Sequence, residues 1–176
     1  HLHDVECNQK YNKTLPYSFH LEMVLKQFQK FEYLIKNRYY DKVYLNNTTA
    51  FILIRDVVII SCFGHDSIEE ARLTYNYIKD KYCIEIAEII YLCTENKGRN
   101  RKERKSDEFY KELATNDLAV FVKLCDLIAN VKFSLLTNSS MFNKYKEEYA
   151  HFRPLIYKAQ YFDMFKYLDD LFTIKN

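Results

Sequence analysis

The scarcity of glycine and proline constrains the fold of this sequence more than any other feature. The 176 residues include only two Gly and two Pro, whereas β-sandwiches and barrels need such residues at most of their hairpin corners. From about Ser18 to Lys36, apolar residues recur at the i, i+3, i+4, i+7 spacing of an amphipathic helix. The sequence therefore predicts an all-α bundle of about seven or eight helices.

The middle of the chain supplies two further helix signals. The run Ala50–Phe63 is apolar on nearly all sides, which fits either a buried helix or two short strands, and its length favours a central helix. The segment Ser67–Glu70 has the S-x-x-E form of a capping box. This motif predicts a new helix from Ser67 to about Lys79.

The second half of the chain also has helical patterns. Segments 83–94 and 102–113 are predicted helices, separated by a polar and basic loop. Asn116 or Asp117 can N-cap a long apolar helix. Pro154 is expected to open or precede another helix, since proline is tolerated in a first turn. Aromatic residues at helical spacing over 161–172 predict the last one.

Size and composition indicate one globular domain over residues 1–176. The 48% hydrophobic content argues against disorder, and the net charge of +2 is too balanced to indicate a surface that wraps nucleic acid. The apolar run Phe51–Phe63 is shorter than the roughly 20 residues that span a bilayer. The five cysteines form no C-x-x-C pair, so we expect reduced thiols and a cytoplasmic setting, with no membrane partner.

Nitrogen and oxygen ligands for a metal occur on separate predicted helices. His20 lies near the start of the first, the pair His65 and Asp66 follows a buried run, and Asp126 interrupts an apolar helix. Polar groups in such surroundings need partners that offset their desolvation. This mixture of ligands suits Mn²⁺, Fe²⁺ or Zn²⁺.

Three ordered motifs carry a resemblance to a known family. They are Pro16–His20, Gly64–Glu70 and Lys123–Asn130. In this order they resemble the HD-domain phosphohydrolases, and more narrowly the hydrolase domain of RelA/SpoT-type alarmone enzymes and their small single-domain relatives. The similarity covers residues from about Gln9 to Ser134, and helices over 139–172 are expected to pack on that part.

The resemblance implies an activity and a set of site residues. The family removes the 3′-pyrophosphate from (p)ppGpp, usually with Mn²⁺. The metal ligands implied here are His20, His65, Asp66 and Asp126. Glu69 and Glu70 match the acidic pair that activates or positions the attacking water. Asn130, four residues after Asp126, would hold the water, the ligand or the substrate ribose.

A basic tract supplies candidates for binding phosphate. Segment 97–105 holds six basic residues, of which Lys97, Arg101 and Arg104 are our phosphate-binding candidates. The same tract fits a solvated surface equally well. It has no interleaved aromatic residues, which argues against nucleic acid as the partner.

The chain also departs from the family pattern in ways that keep alternatives open. Tyr11 stands two residues after Gln9, where the family often has an Arg that stacks on guanine, and Tyr11 could stack in its place. Lys10 beside it is a further substrate-binding candidate. Tyr17 fits a substrate-facing hydroxyl or simple packing. The alternatives are a phosphatase for NADPH or another 2′- or 3′-phosphorylated nucleotide, and a non-catalytic module that binds a nucleotide or a protein partner. The C-terminal aromatic residues fit either a core or a homo-oligomer surface.

Overall fold

A computed structural model describes residues 2–35, 42–45, 48–51, 53–95 and 98–174. These residues contain nine α-helices, and the prediction of an all-α bundle is confirmed. The helices are α1 (Tyr17–Phe31), α2 (Ile54–Gly64), α3 (Tyr75–Lys81), α4 (Ile84–Cys93), α5 (Arg101–Arg104), α6 (Asp107–Leu113), α7 (Asp117–Leu136), α8 (Met141–Ile156) and α9 (Phe162–Leu171).

Short elements complete the described structure. A π-helical turn covers Leu2–Glu6, and 3-10 turns cover Glu32–Leu34 and Ala159–Tyr161. Two antiparallel hairpins pair β1 (Lys10–Tyr11) with β2 (Leu15–Pro16), and β3 (Lys42–Leu45) with β4 (Thr48–Phe51). In the first hairpin Tyr11 lies opposite Leu15, which brings Tyr11 close to the start of α1.

Helix α7 forms the centre of the bundle. It packs against α1, α2, α4, α8 and α9, and its apolar residues are buried around most of its circumference. Asn116 caps it as predicted, accepting hydrogen bonds from the amides of Leu118 at 2.9 Å and Ala119 at 3.1 Å. Burial of each large side chain, such as Leu124 and Ile128, contributes about 1.5–3 kcal/mol.

The predicted helix over 50–63 begins later than expected. Residues 50 and 51 belong to strand β4, and α2 begins at Ile54 with Leu53 as its extended N-cap. The two structures that fit this apolar run therefore both occur, a strand at its start and a helix after it.

The prediction that Ser67 begins a helix is wrong. Residues 65–71 form turns, and α3 begins only at Tyr75, where Oγ1 of Thr74 accepts from the amide of Tyr77 at 3.2 Å. A capping box would direct the Glu70 amide to Ser67, but this amide donates to the carbonyl of Asp66 at 2.8 Å. The turn after α2 thus uses the Glu70 amide, which is the donor that a Ser67 cap would need.

Two other boundaries also differ from prediction. Segment 102–113 is not one helix, because α5 ends at Arg104 and Ser106 caps a separate α6 by accepting from the Phe109 amide at 3.4 Å. Pro154 does not open a helix but lies in the last turns of α8. Its missing N–H leaves the carbonyl of Ala150 without a helical partner, and Ala150 is exposed to water.

The five cysteines are free thiols, and all except Cys7 are buried. Within the described ranges, no helix has the length and apolar content needed to cross a bilayer. Helix α8 packs on α6 and α7, and α9 on α7, so the C-terminal helices share the core of the preceding elements.

Candidate metal centre

Three helical elements bring two histidines and an aspartate together. His20 comes from the first turn of α1, His65 from the residue after α2, and Asp126 from the middle of α7. Oδ1 of Asp126 lies 3.2 Å from Nε2 of His20 and 3.6 Å from Nε2 of His65. One ligand atom from each residue lies within 4.8 Å of the others, a spacing that could hold a metal ion.

Asp66, the fourth predicted ligand, lies beside this group. Its Oδ2 is 3.1 Å from Nε2 of His65 and 3.9 Å from Nε2 of His20. The hydroxyl of Tyr17 donates a short hydrogen bond to the same oxygen. Tyr17 is buried at the wall of the adjoining cavity, and its hydroxyl is directed at Asp66.

The histidine nitrogens fit a cation. Nδ1 of His65 donates to the carbonyl of Cys62 at 2.9 Å, so Nε2 faces the carboxylates and offers its lone pair to a cation once it is deprotonated. This Nε2 is buried and makes no hydrogen bond of good geometry to any described residue, although Asp66 and Asp126 are near. A ligating imidazole with its other nitrogen bound to a carbonyl is the usual arrangement at metal sites.

Charges in the cluster strengthen this arrangement. Burial would lower the pKa of His65, but Asp66 and Asp126 raise it well above its usual value. Burial would raise the pKa of Asp66 and of Asp126, yet the histidines hold both below the usual carboxyl range. Both carboxylates are thus anionic at neutral pH and suited to bind a cation.

Further side chains orient Asp126. The amide of Asn130 donates to its Oδ1 at 2.5 Å, and the carbonyl oxygen of Asn130 accepts the hydroxyl of Tyr11 at 2.8 Å. The ring of Tyr11 stacks on that of His20 at 4.8 Å. On the other side, Nζ of Lys123 lies 3.6 Å from Oδ2. Lys123 belongs to one of the three motifs but was not predicted to have a role. Its spacing of three residues from Asp126, which places both on the same face of the helix, was the available signal.

Glu69 and Glu70 lie in the turns after α2, on the wall of the same cavity. Partial burial and the neighbouring Glu95 raise the pKa of Glu69, while partial burial and Asp66 raise that of Glu70. Nε2 of Gln9 donates to Oε2 of Glu70 at 2.7 Å. The two glutamates are therefore close to the metal centre without belonging to it.

The cavity has a volume of about 270 Å³, and one part of its wall is basic, with Arg101, Arg104 and Lys105. Arg101 binds Glu148 with two hydrogen bonds, and Nε of Arg104 lies 3.4 Å from Oε2 of Glu95. Nζ of Lys105 lies 3.1 Å from Glu95 and 3.3 Å from Glu148. Phosphate-binding candidates Arg101 and Arg104 both line this wall.

The remaining candidates lie elsewhere. Lys10 is exposed on β1 and is not among the residues that line the cavity. Lys97 lies outside the described residues. Among the polar residues of the wall and its ion pairs, Glu95, Lys105, Tyr145 and Glu148 were not predicted as site residues. Tyr145 and Glu148 come from α8, and no sequence signal links that helix to motifs far upstream.

No protein-family model matches this sequence, and comparisons with curated proteins and with solved structures also gave no match.

Proposed function

We propose that this protein is a divalent-metal-dependent phosphohydrolase that acts on a phosphorylated nucleotide. The observation that carries the proposal is the meeting of His20, His65 and Asp126 beside Asp66, at a cavity whose wall also holds Arg101, Arg104 and Lys105. The histidines and carboxylates fit a metal, and the cations fit a phosphate group. Metal-assisted hydrolysis of a phosphate ester can use both kinds of group to stabilise the negative charge of the transition state.

The residues would share the work as follows. His20, His65, Asp66 and Asp126 would hold the cation, which in such sites acts as a Lewis acid toward a phosphoryl oxygen and water. Asn130 and Lys123 fix the orientation of the Asp126 carboxylate. One carboxylate of the pair Glu69 and Glu70 would accept the proton from the attacking water, and the other would help to position that water. Their raised pKa values lie closer to neutral pH, where a general base is most effective.

The first candidate substrate is (p)ppGpp, from which the 3′-pyrophosphate would be removed. The similarity of three ordered motifs to the alarmone hydrolases supports this choice, as does the basic wall. Phosphate binding would exchange the pairing of Arg101 with Glu148 for pairing with substrate. Such an exchange keeps the guanidinium hydrogen-bonded throughout.

A specific observation favours a second candidate, a phosphatase for another 2′- or 3′-phosphorylated nucleotide such as NADPH. The hydroxyl of Tyr11 is bonded to Asn130 and its ring lies against His20. Tyr11 is therefore engaged at the metal centre, and the contact to guanine that the family's Arg provides is not reproduced by this residue.

The test is release of phosphate and pyrophosphate from ppGpp, pppGpp, NADPH, GTP and dNTPs, with Mn²⁺ and with chelator. Asp126→Ala is compared with Asp170→Ala, an exposed carboxylate on α9. Mn²⁺-dependent release from ppGpp that only Asp126→Ala abolishes supports the first candidate. Release from another nucleotide supports the second. If every nucleotide is bound but none is hydrolysed, the protein is a binding module and the proposal is wrong.

A further inference from the structure

The N-terminal turn Leu2–Glu6 is packed against the start of α1, next to the candidate metal centre. Oδ1 of Asp4 accepts a hydrogen bond from the amide of Ser18 at 3.0 Å. Beside it, His3 is only 6% exposed although it belongs to no recognised motif. A buried imidazole at this position needs partners for its polar atoms.

His3 makes two different contacts toward the site. Its ring stacks on that of Tyr17 with centroids 4.6 Å apart, and its Nδ1 lies 2.6 Å from Oε1 of Gln9. The backbone amide of Gln9 also donates to the carbonyl of His3 at 2.7 Å. His3 thus holds Gln9 at two points, one on the side chain and one on the backbone of Gln9.

The directions of the hydrogen bonds that link His3, Gln9 and Glu70 follow from the chemistry of the Glu70 carboxylate. The carboxylate of Glu70 can only accept when ionised, so Gln9 must present its Nε2 there, at 2.7 Å from Oε2. The amide oxygen of Gln9 then faces His3, and the proton between them must lie on Nδ1 of His3. Each donor in the series His3, Gln9, Glu70 points toward the carboxylate.

We propose that His3 and Gln9 are positioning residues that hold the Glu70 carboxylate toward the attacking water. This inference rests on the proposed function, because it assigns a task to the Glu70 side chain. Glu70 is accessible to solvent, and an unrestrained glutamate samples several rotamers, whose restriction has an entropic cost. The network of His3, Gln9 and Glu70 restrains that side chain before substrate arrives.

Two substitutions at His3 separate positioning from packing. His3→Asn keeps an N–H close to the place of Nδ1 but removes the ring that stacks on Tyr17. His3→Phe keeps the ring and removes the donor. We expect His3→Phe and Gln9→Ala to lower kcat about tenfold with KM unchanged, and His3→Asn to retain most of the activity. In a Glu70→Ala background, His3→Phe should have no further effect. The opposite order, with His3→Asn impaired and His3→Phe active, would show a packing role and overturn the proposal.

A second measurement does not depend on turnover. Urea unfolding of wild type, Gln9→Ala, Glu70→Ala and the double variant gives the coupling free energy between Gln9 and Glu70. We expect a favourable coupling that disappears in the His3→Phe background and persists with His3→Asn. Absence of coupling in the wild-type background overturns the network even if the protein hydrolyses nucleotides. Coupling without any hydrolysis supports the network and rejects the proposed function.

Discussion

Asn130 lies one turn after Asp126 along α7, and its side-chain amide donates a hydrogen bond to Oδ1 of Asp126 at 2.5 Å. The oxygen of that same amide accepts the hydroxyl of Tyr11, from the N-terminal hairpin, at 2.8 Å. A hairpin at one end of the chain thereby fixes the orientation of a carboxylate in the central helix. Outer partners of this kind set the affinity of metal sites.

Replacing Tyr11 by Phe removes the hydroxyl and leaves Asn130 free to rotate away from Asp126. We expect the affinity for Mn²⁺ to fall about tenfold, while the ring stacked on His20 is kept. Titration calorimetry measures this change. Tyr33→Phe is the matched control, since it also removes a hydrogen-bonded tyrosine hydroxyl, one that donates to the Asp163 carboxylate at a surface away from the site. Equal affinities for Tyr11→Phe and wild type would contradict the role of the hydroxyl.

The affinity for metal should rise with pH. Burial would lower the pKa of His65, but Asp66 and Asp126 together raise it. The metal-free protein therefore carries a proton there at neutral pH. This proton must leave when a metal binds. Between about pH 6 and about pH 7.5 we expect the affinity to increase up to roughly tenfold per pH unit.

Calorimetry in buffers of different ionisation enthalpy counts the released proton directly. The free energy of unfolding of the metal-free protein should change in the opposite direction and fall as pH rises. A histidine whose pKa is raised in the folded state stabilises the fold most below the unfolded pKa of about 6.5, and this stabilisation is lost as pH rises through the folded pKa. Asp66→Asn removes one source of the shift and should flatten the pH dependence. An affinity independent of pH in the wild type would contradict the release of a proton from His65 on metal binding.

Glu148 should stabilise the fold at neutral pH but not in acid. Burial alone would raise the pKa of Glu148, but hydrogen bonding to Arg101 and the charge of Lys105 lower it. A lowered carboxyl pKa contributes stability above the unfolded value of about 4.3 and is lost as pH falls through the folded value. We expect Glu148→Gln to reduce the free energy of unfolding by about 1 kcal/mol at pH 7.

Urea unfolding at neutral and at strongly acidic pH tests this prediction, and the difference between wild type and variant should close in acid. Glu147→Gln, at an exposed neighbouring position, is the control and should differ from wild type at neither pH. A difference for Glu148→Gln that persists in acid would mean that packing, and not charge, accounts for it.

Two aliphatic residues of α7 differ sharply in burial. Ile128 is fully buried, whereas Leu136 is 82% exposed. Ile128→Ala should lower the free energy of unfolding by about 2–5 kcal/mol through lost burial and a cavity. Leu136→Ala should change it by less than about 0.5 kcal/mol. Chemical denaturation compares both, and similar values would contradict the central position of α7.

Local patterns predicted much of this fold. Asn116 precedes an uninterrupted apolar helix, so its cap was readable from the sequence. Ser67 has the same kind of signal, but the Glu70 amide instead bonds to the carbonyl of Asp66. This competition arises from the turn that carries His65 and Asp66, and spacing alone does not reveal it.

The metal-centre candidates were accessible to sequence reasoning because they lie in three short motifs. The basic wall of the cavity was only partly accessible. Arg101 belongs to a visible basic tract, but its partner Glu148 lies on α8 and is brought near by packing across the bundle. His3 is the clearest case, since its contact with Gln9 depends on the π-helical turn.

The most direct test adds Mn²⁺ stepwise to chelator-treated protein and measures, at each step, bound Mn²⁺ and the rate of phosphate or pyrophosphate release from a nucleotide. We predict that the rate rises in proportion to a single bound Mn²⁺ and that Asp126→Ala loses both the binding and the release. Mn²⁺ bound by His20, His65 and Asp126 without release from any nucleotide, or release unaffected by Mn²⁺, would contradict a metal-dependent phosphohydrolase.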